Sequence, residues 1–544
     1  MDTNIEIGLL MMIIAIPISM AIIPLLAKYA SIIGMIDKPD PRKVHTKPVP
    51  RVGGPGIVIG SLIPVSIWLN FDSLFITYLA GSLILLTFGI WDDIKQLGHY
   101  AKFIGQFSAV ILVVYLGGLY VSYIPFIGEL NETAGKIFTV ISMVGVINAL
   151  NHSDGLDGLA GGESLMSLSA IAYISYLSND TTIFLISLAT MGGIFGFLRF
   201  NSHPAHVFMG DGGSQFLGFT LAFLVIHLTQ ISNPALSPSI TILLIGLPII
   251  DILAVFYQRI KGKMNWFRAT KNHVHHRLLD LGFHHYESVI IIYSIQAVLV
   301  LCAVTFPYES DLVLLLIYIG TSVVLFSFLV IAKSKGWRIH KDFDNISKTS
   351  KKNRNIEYSE SILKYISSSV FVLLSFFTLS TSLNARDISD DLQLTAGILF
   401  LLLITRLIFA YKVWFIYLRL TIYVSVALCA YLLNFTSPGY VLSSFSIYTF
   451  YSILTVFVMI AIRYSKNNQF EFNPLDYLFL LTVGILIFVS KQGFEDVLMI
   501  SLAIQLVILF YASEIVIKQM KNRVNIFTVS LLASLGIVFF KSAI

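Results

Sequence analysis

The sequence predicts an all-α polytopic membrane protein, with about 11 transmembrane helices in an N-terminal part and about 7 more in a C-terminal extension. Three observations carry this. The 544 residues are 56% hydrophobic and only 12% charged, with a mean hydropathy of +0.81, whereas soluble domains carry about 25% charged residues. The apolar residues fall in runs near membrane-spanning length, separated by polar or Gly/Pro-rich breaks. The basic residues collect in alternate breaks, as the positive-inside rule requires. No Lys/Arg block is continuous enough to make a nucleic-acid stripe, so the net charge of +5 reads as topology and nucleic acid is excluded as a partner.

The first run, roughly Ile7 to Ala27, follows Asp2 and Glu6 and precedes Lys28, Lys38, Arg42 and Lys43. Acid before and base after is the pattern of a retained span with its N-terminus outside, not of a cleaved signal peptide. Further spans are expected near 55–70, 74–90, 103–122, 137–150, 165–178, 182–200, 214–231, 239–258, 288–305 and 312–332. The gaps that alternation places in the cytosol hold 24 Lys and Arg, against Lys136 alone in the opposite gaps. The longest polar segment, 333–364, is taken as a linker between a first domain, 1–332, and a multi-span extension, 365–544. In the extension spans are expected near 366–383, 393–405, 420–435, 445–462, 475–490, 497–517 and 526–543, which would put 32 of the 36 basic residues inside. Cys302 and Cys429 lie far apart in apolar runs and read as small core residues.

Every unusual polar motif falls in a predicted cytosolic loop. Asp92 and Asp93 are adjacent carboxylates at a span end, an arrangement that repulsion disfavours unless a cation or proton lies between them. The segment NALNHSDGLDGLAGG interleaves Asn148, Asn151, Asp154 and Asp157 with glycines, which allow close backbone approach to a ligand and offer N–H donors to phosphate. Asp211, in GDGGS ahead of a helix, stands at the mouth of a possible anion site, where a carboxylate can hold a hard cation. His273, His275, His276 and Arg277 form a dense donor cluster, and a zinc site is a poor alternative because no fourth ligand stands at the usual spacing. Asp251 lies inside the preceding helix, either facing a cavity or hydrogen-bonded to a neighbouring helix.

Five of these segments, DKPDPRKVHTKPVPRVGG (37–54), WDDIKQLGHYAKFIGQ (91–106), NALNHSDGLDGLAGG (148–162), VFMGDGGSQFLG (207–218) and HVHHRLLDLGF (273–283), occur in the order found in one family. Over residues 1 to 332 the chain resembles the polyprenyl-phosphate N-acetylhexosamine-1-phosphate transferases (glycosyltransferase family 4), and within them the WecA/TagO-like branch. The resemblance implies a cytosolic active site in the bacterial inner membrane. It also implies UDP-N-acetylhexosamine as donor, polyprenyl (undecaprenyl) phosphate as membrane-lipid acceptor, and Mg2+ as cofactor, with Mn2+ as an alternative ion; a homodimer is an admissible assembly. By motif match Asp211 would bind the metal, and Asp92 and Asp93 would lie near it and the acceptor phosphate. Asn148, Asp154 and Asp157 would line the nucleotide site, with Lys47 and Arg51 as polar contacts, while His273, His275, His276 and Arg277 would grip phosphates. The rival expectation is a transporter or flippase, which should concentrate ionisable residues near the bilayer midplane, often in two related halves. No motif of the first part recurs in the second.

Overall fold

The structure is a computed structural model that describes residues 3–39, 48–263, 272–339, 356–386, 388–408, 414–435, 444–464, 497–519 and 524–541. It is helical nearly throughout, with two antiparallel two-residue ladders, β1 (Ile36–Asp37) with β2 (Val49–Pro50) and β3 (Tyr123–Ile124) with β4 (Gly128–Glu129). The chain divides into two compact units, one built mainly on Met1–Phe343 and the other on most of the residues after it.

In the first unit each of the eleven expected spans is met by helix. They are α1 (Thr3–Ile33), α2 (Gly53–Trp68), α3 (Ser73–Lys95), α4 (His99–Ile111, continued by a wider turn to Leu116), α5 (Glu132–Ser153), α6 (Leu159–Leu177), α7 (Thr181–Asn201), α8 (Gly210–His227, continued to Ser232), the pair α9 (Ile240–Ile245) and α10 (Leu247–Lys261), α12 (His285–Thr305) and α13 (Asp311–Ser334); a short α11 (Val274–Asp280) lies before α12. Among the described residues, nine helices of the whole chain are long and apolar enough to cross a membrane outright. Local chemistry sets several starts. Asp72, Asn131 and Asp180 cap α3, α5 and α7 by accepting the N–H of Phe75, Ala134 and Ile183.

Helix α8 is the axis of this unit. Every residue from Gly212 to His227 is buried, and α2, α3, α5, α6 and α9 all pack on it, as befits a helix without a polar face. Its polar groups are paired internally: Thr220 Oγ1 lies 3.1 Å from the hydroxyl of Tyr78, whose ring stacks on Phe219. Helix α13 is the opposite case. Only Leu314, Tyr318, Leu325, Leu329 and Ala332 of its 24 residues are buried, one narrow stripe on an otherwise lipid-compatible rod.

The span expected near 239–258 is broken rather than continuous. Gly246 takes φ +44, and the sequence Gly246-Leu247-Pro248 ends α9 and starts α10. Backbone freed at membrane depth must find partners within the protein. Gln296 of α12 supplies them: its Oε1 accepts Leu247 N–H at 2.9 Å and its Nε2 donates to Leu244 O at 3.2 Å. Tyr318 of α13 donates to Gly246 O at 3.2 Å.

The second unit holds α14 (Ile356–Asn384), α15 (Asp390–Ile408), α16 (Trp414–Phe435), α17 (Ser444–Tyr464), α18 (Val497–Gln519) and α19 (Val524–Phe540). The span expected near 475–490 lies outside the described residues. Helix α14 begins about ten residues before the apolar stretch that marks it in the sequence, and it packs on α16, α17, α18 and α19. Between its helices Asn434 donates to Gln505 Oε1 at 2.8 Å, and Tyr423 donates to Glu514. Cys302 and Cys429 are free, Cys429 fully buried.

Replacing Gln296 by Leu strands the Leu247 N–H in an apolar interior, a loss of about 1–3 kcal/mol. A lowered unfolding midpoint of the purified protein in detergent is the expected result; an unchanged midpoint would show that the break does not depend on Gln296.

Candidate active site

The acidic centre forms where three helix ends meet. Asp92 and Asp93 occupy the last turns of α3 and are buried; Asp211 stands in the first turn of α8, where unsatisfied N–H groups favour a negative charge. Glycine makes the approach possible. A Cβ at Gly89 would fall 2.2 Å from Gly212 Cα, and one at Gly54 would fall 2.4 Å from Gly213 N, so α2 and α3 touch the start of α8 backbone to backbone. The first residues of α2 are laced to the same place, with Gly53 N–H and Gly54 N–H donating to Phe208 O and Met209 O at 3.0 and 2.7 Å.

Two cations and one amide tie the acids together. Lys102 of α4 bridges Asp92 (2.8 Å) and Asp211. Arg51 pairs with Asp37 at 2.5 Å and lies 3.8 Å from Asp93. Asn151 donates to Asp211 Oδ1 at 3.0 Å and to Ser214 at 2.8 Å, and Asp211 N–H donates to Asp93 Oδ1 at 3.2 Å. Behind them Asn148 donates to Gln106 at 2.8 Å, and Gln106 to Gln215 at 3.3 Å. Asp92 Oδ1 and Asp93 Oδ2 are buried with no hydrogen-bond partner. Carboxylates with spare oxygens, held around a lysine ammonium, match the hard oxygen donors that Mg2+ prefers, and the residues present fit such an ion.

The glycine-rich loop after α5 carries Asp154 and Asp157 in different circumstances. Asp154 is pushed up to about 7 by burial and by the negative charges of Asp211 and Asp157, with Arg51 opposing. Asp157 is clasped. Burial alone would raise it, but His203, His285 and the Ala205 N–H hold it below the usual carboxylate range. Its Oδ2 lies 2.7 Å from His203 Nδ1 and 3.0 Å from Ala205 N, while its own N–H donates to His285 Nε2 at 3.0 Å. Gly158 N–H donates to Asn201 and Tyr293 donates to Gly158 O, so the loop is fastened at both sides of Asp157.

The histidine cluster closes the other side. Asp251 is a hydrogen-bonded anchor for α11: it accepts the Val274 N–H at 2.8 Å and pairs with His273 Nδ1 at 2.7 Å. The His273 ring stacks on His152 at 5.4 Å and on His275 at 5.7 Å, and His275 meets His276 at 4.3 Å. A Cβ at Gly155 would fall 2.2 Å from His275 Nε2, which sets the cluster against the Asp154 loop. Burial, then its histidine neighbours, lower His275 well below its ordinary range, so at neutral pH it serves as a hydrogen-bonding imidazole rather than a cation. Arg277 turns towards α13, its guanidinium 5.6 Å from the Phe326 ring centroid. Lys47 lies outside the described residues.

The structure thus gathers Asp92, Asp93, Asp211, Arg51 and Asn148 around one centre, with Asp154, His273 and His275 on its flank. It also brings in residues to which the motifs assigned no role. Asn151 stands three residues after Asn148 on the same helix face, and Lys102 lies ten residues after Asp92, so both were visible in their motifs. Asn201 and His203, at the end of α7, and His285 and Tyr293, in α12, come from two segments far from the loop they hold and carried no local signal.

Asp154 also gives a pH prediction. A carboxyl raised from about 3.9 unfolded contributes stability that is full below about pH 4 and is lost as pH rises through about 7. Unfolding midpoints of metal-free protein at pH 5 and pH 8 should therefore fall less for Asp154→Asn than for the parent chain. Equal falls would show that Asp154 does not titrate in this window.

Comparison with known proteins places the same stretch of chain in a family. The model of glycosyl transferase family 4 matches residues 75–229, the stretch from α3 to α8 that carries most of the centre. The chain is 33% identical over 314 residues to the probable undecaprenyl-phosphate N-acetylglucosaminyl 1-phosphate transferase of Bacillus subtilis, covering 57% of this chain and 87% of that protein. It is 31% identical over 278 residues to the undecaprenyl-phosphate alpha-N-acetylglucosaminyl 1-phosphate transferase of Haemophilus influenzae (49% and 78%), and 27% identical over 338 residues to the Escherichia coli K12 protein of the same name (60% and 91%). The described spans, the acidic centre at their ends and these relatives together identify the chain as a multi-pass membrane transferase that belongs to glycosyl transferase family 4, in its WecA/TagO-like branch.

Proposed function

We propose that the protein transfers an N-acetylhexosamine-1-phosphate from a UDP-sugar to undecaprenyl phosphate, releasing UMP and starting a lipid-linked glycan. The observation that carries this is the cluster around Asp211, in which two carboxylates keep unpartnered oxygens and a lysine bridges the rest. Such equipment suits a reaction whose difficulty is charge repulsion. A phosphate monoester has a second pKa of about 6, so the acceptor is largely a dianion at neutral pH and needs little help from a base. What it needs is neutralisation and alignment against the pyrophosphate it attacks, the main sources of rate in phosphoryl transfer.

The residues divide that work. Asp211, with Asn151 and Asp92 beside it, would hold Mg2+, which when bound supplies positive charge to the pyrophosphate oxygens. Lys102 and Arg51 would neutralise phosphate oxygens at the same centre, and Asp92 or Asp93 would orient the acceptor or take a residual proton. Asp251 fixes His273, and through α11 it sets His275 and His276 to donate hydrogen bonds to the donor phosphates. Asp157 acts through the loop it clasps, holding Asp154 at the nucleotide side. The reaction would proceed in one in-line step on the cytosolic face of the bacterial inner membrane, with residues 1–332 as the transferase domain and 365–544 as an extension of separate role.

Purified full-length protein with undecaprenyl phosphate, Mg2+ and a panel of UDP-sugars should release UMP only when acceptor is present, and excess UMP should run the reaction backwards. UMP release without acceptor, together with a sugar-phosphoryl enzyme trapped with labelled donor, would instead establish a double displacement. Asp211→Asn should lower the rate by about 100-fold or more. Asn151→Ala should raise the Mg2+ concentration needed for half-maximal rate by about 10–100-fold, as loss of a ligand-orienting group does; an unchanged requirement would remove Asn151 from the site.

A further inference from the structure

We infer that the cavity between α11 and the end of α13 binds the phosphate of an anionic membrane lipid. This inference rests on the membrane-spanning fold and is independent of the transfer reaction. The cavity has a volume of about 510 Å3 and is lined by Arg277, Lys333 and Arg338, with Asp280, Trp337 and Leu329 among its walls. Three cations against one carboxylate leave it strongly positive, and its volume falls within the range of about 300–1,000 Å3 usual for ligand sites.

A basic residue in the last turn of a helix is ordinary, because it faces the negative end of the helix dipole. Lys333 alone would need no other reason. Arg277 and Arg338 are different, since they come from separate elements and are held in place. The guanidinium of Arg277 is backed by the Phe326 ring. The turn bearing Arg338 is pinned by Trp337 N–H to Ala332 O (2.9 Å) and Ile339 N–H to Leu281 O (3.2 Å). The Trp337 ring lies 5.9 Å from Phe283 and 6.0 Å from Phe328, fixing it between α13 and the segment after α11.

Depth identifies the source of the phosphate. From Asp311 to Lys333 a helix rises by about 33 Å, close to the thickness of about 30 Å of a bilayer's hydrocarbon core. Phe328, Val330 and Ile331, just before the cavity, are 43%, 55% and 52% exposed, as residues facing acyl chains would be. The cavity therefore opens at headgroup level, where basic pockets between helices bind phospholipid headgroups and where a tryptophan settles. Asp280 offers an acceptor for a headgroup hydroxyl, which suits a glycerol-bearing anionic lipid such as phosphatidylglycerol.

The test uses full-length protein in zwitterionic phosphatidylcholine nanodiscs, with phosphatidylglycerol introduced in increments. Native mass spectrometry counts retained lipid, and the unfolding midpoint is followed in parallel. The parent chain should retain phosphatidylglycerol and gain thermal stability, while the double variant Lys333→Glu/Arg338→Glu should bind it about 30-fold more weakly, on a scale set by about 1 kcal/mol for each basic residue lost. The conservative Lys333→Arg/Arg338→Lys variant should keep binding, and an unchanged midpoint without phosphatidylglycerol shows that the charge-reversed protein is folded. Undiminished phosphatidylglycerol binding by the folded charge-reversal variant overturns the site. Inorganic phosphate or glycerol phosphate that raises the midpoint as effectively as the lipid overturns the lipid as its ligand.

Discussion

Concentrated negative charge in a poorly solvated place is the constraint on which the first unit depends. Asp37, Asp92, Asp93, Asp154 and Asp211 lie within electrostatic reach of one another, with Arg51 and Lys102 as the cations among them. Coulomb repulsion between carboxylates at such separations is severe once water is scarce. The fold holds them there by rigid means: glycine contacts that let α2 and α3 touch the start of α8, and a fully buried α8 that cannot shift without opening the core. Stability contributed by apolar packing across the bundle sustains an arrangement that is locally unfavourable, as is common where a site must act on charge.

The supporting shell follows the same logic at lower charge. Gln106, Asn148 and Gln215 form a neutral amide chain beneath the acids. Asp157 and Asp251, each with histidine and backbone donors, are spent on holding loops rather than on exposed chemistry. Acids in similar sequence settings thus have different duties, decided by whether a donor from another segment reaches them.

This difference also explains what the sequence conveyed. Spans were legible because hydropathy is a local property and a bilayer enforces its length; all eleven in the first unit were met by helix, although their ends moved by several residues. The acidic centre was legible in its main parts, since Asp92, Asp93 and Asp211 stand in motifs with glycine and paired charge. The break at Gly246 was not, because its feasibility depends on Gln296 and Tyr318, tens of residues away. The clasp on Asp157 and the anchoring role of Asp251 were hidden for the same reason. Arg277 followed its histidines in sequence, yet a helix turns about 100° per residue, and that rotation carries it to the α13 side.

The lysine bridge bears on which ions can compete for the acids. Lys102 is tethered to α4, so its ammonium is presented to Asp92 and Asp211 at an effective concentration fixed by the chain and not by the solution. A cation binding at these acids would have to exchange with a resident competitor. A monovalent ion brings no more charge than the group it displaces, whereas a divalent ion brings twice as much and tolerates the same oxygen donors. For a metal ion of the proposed kind, the bridge would act as a built-in threshold, discriminating by valence before any question of size or geometry arises.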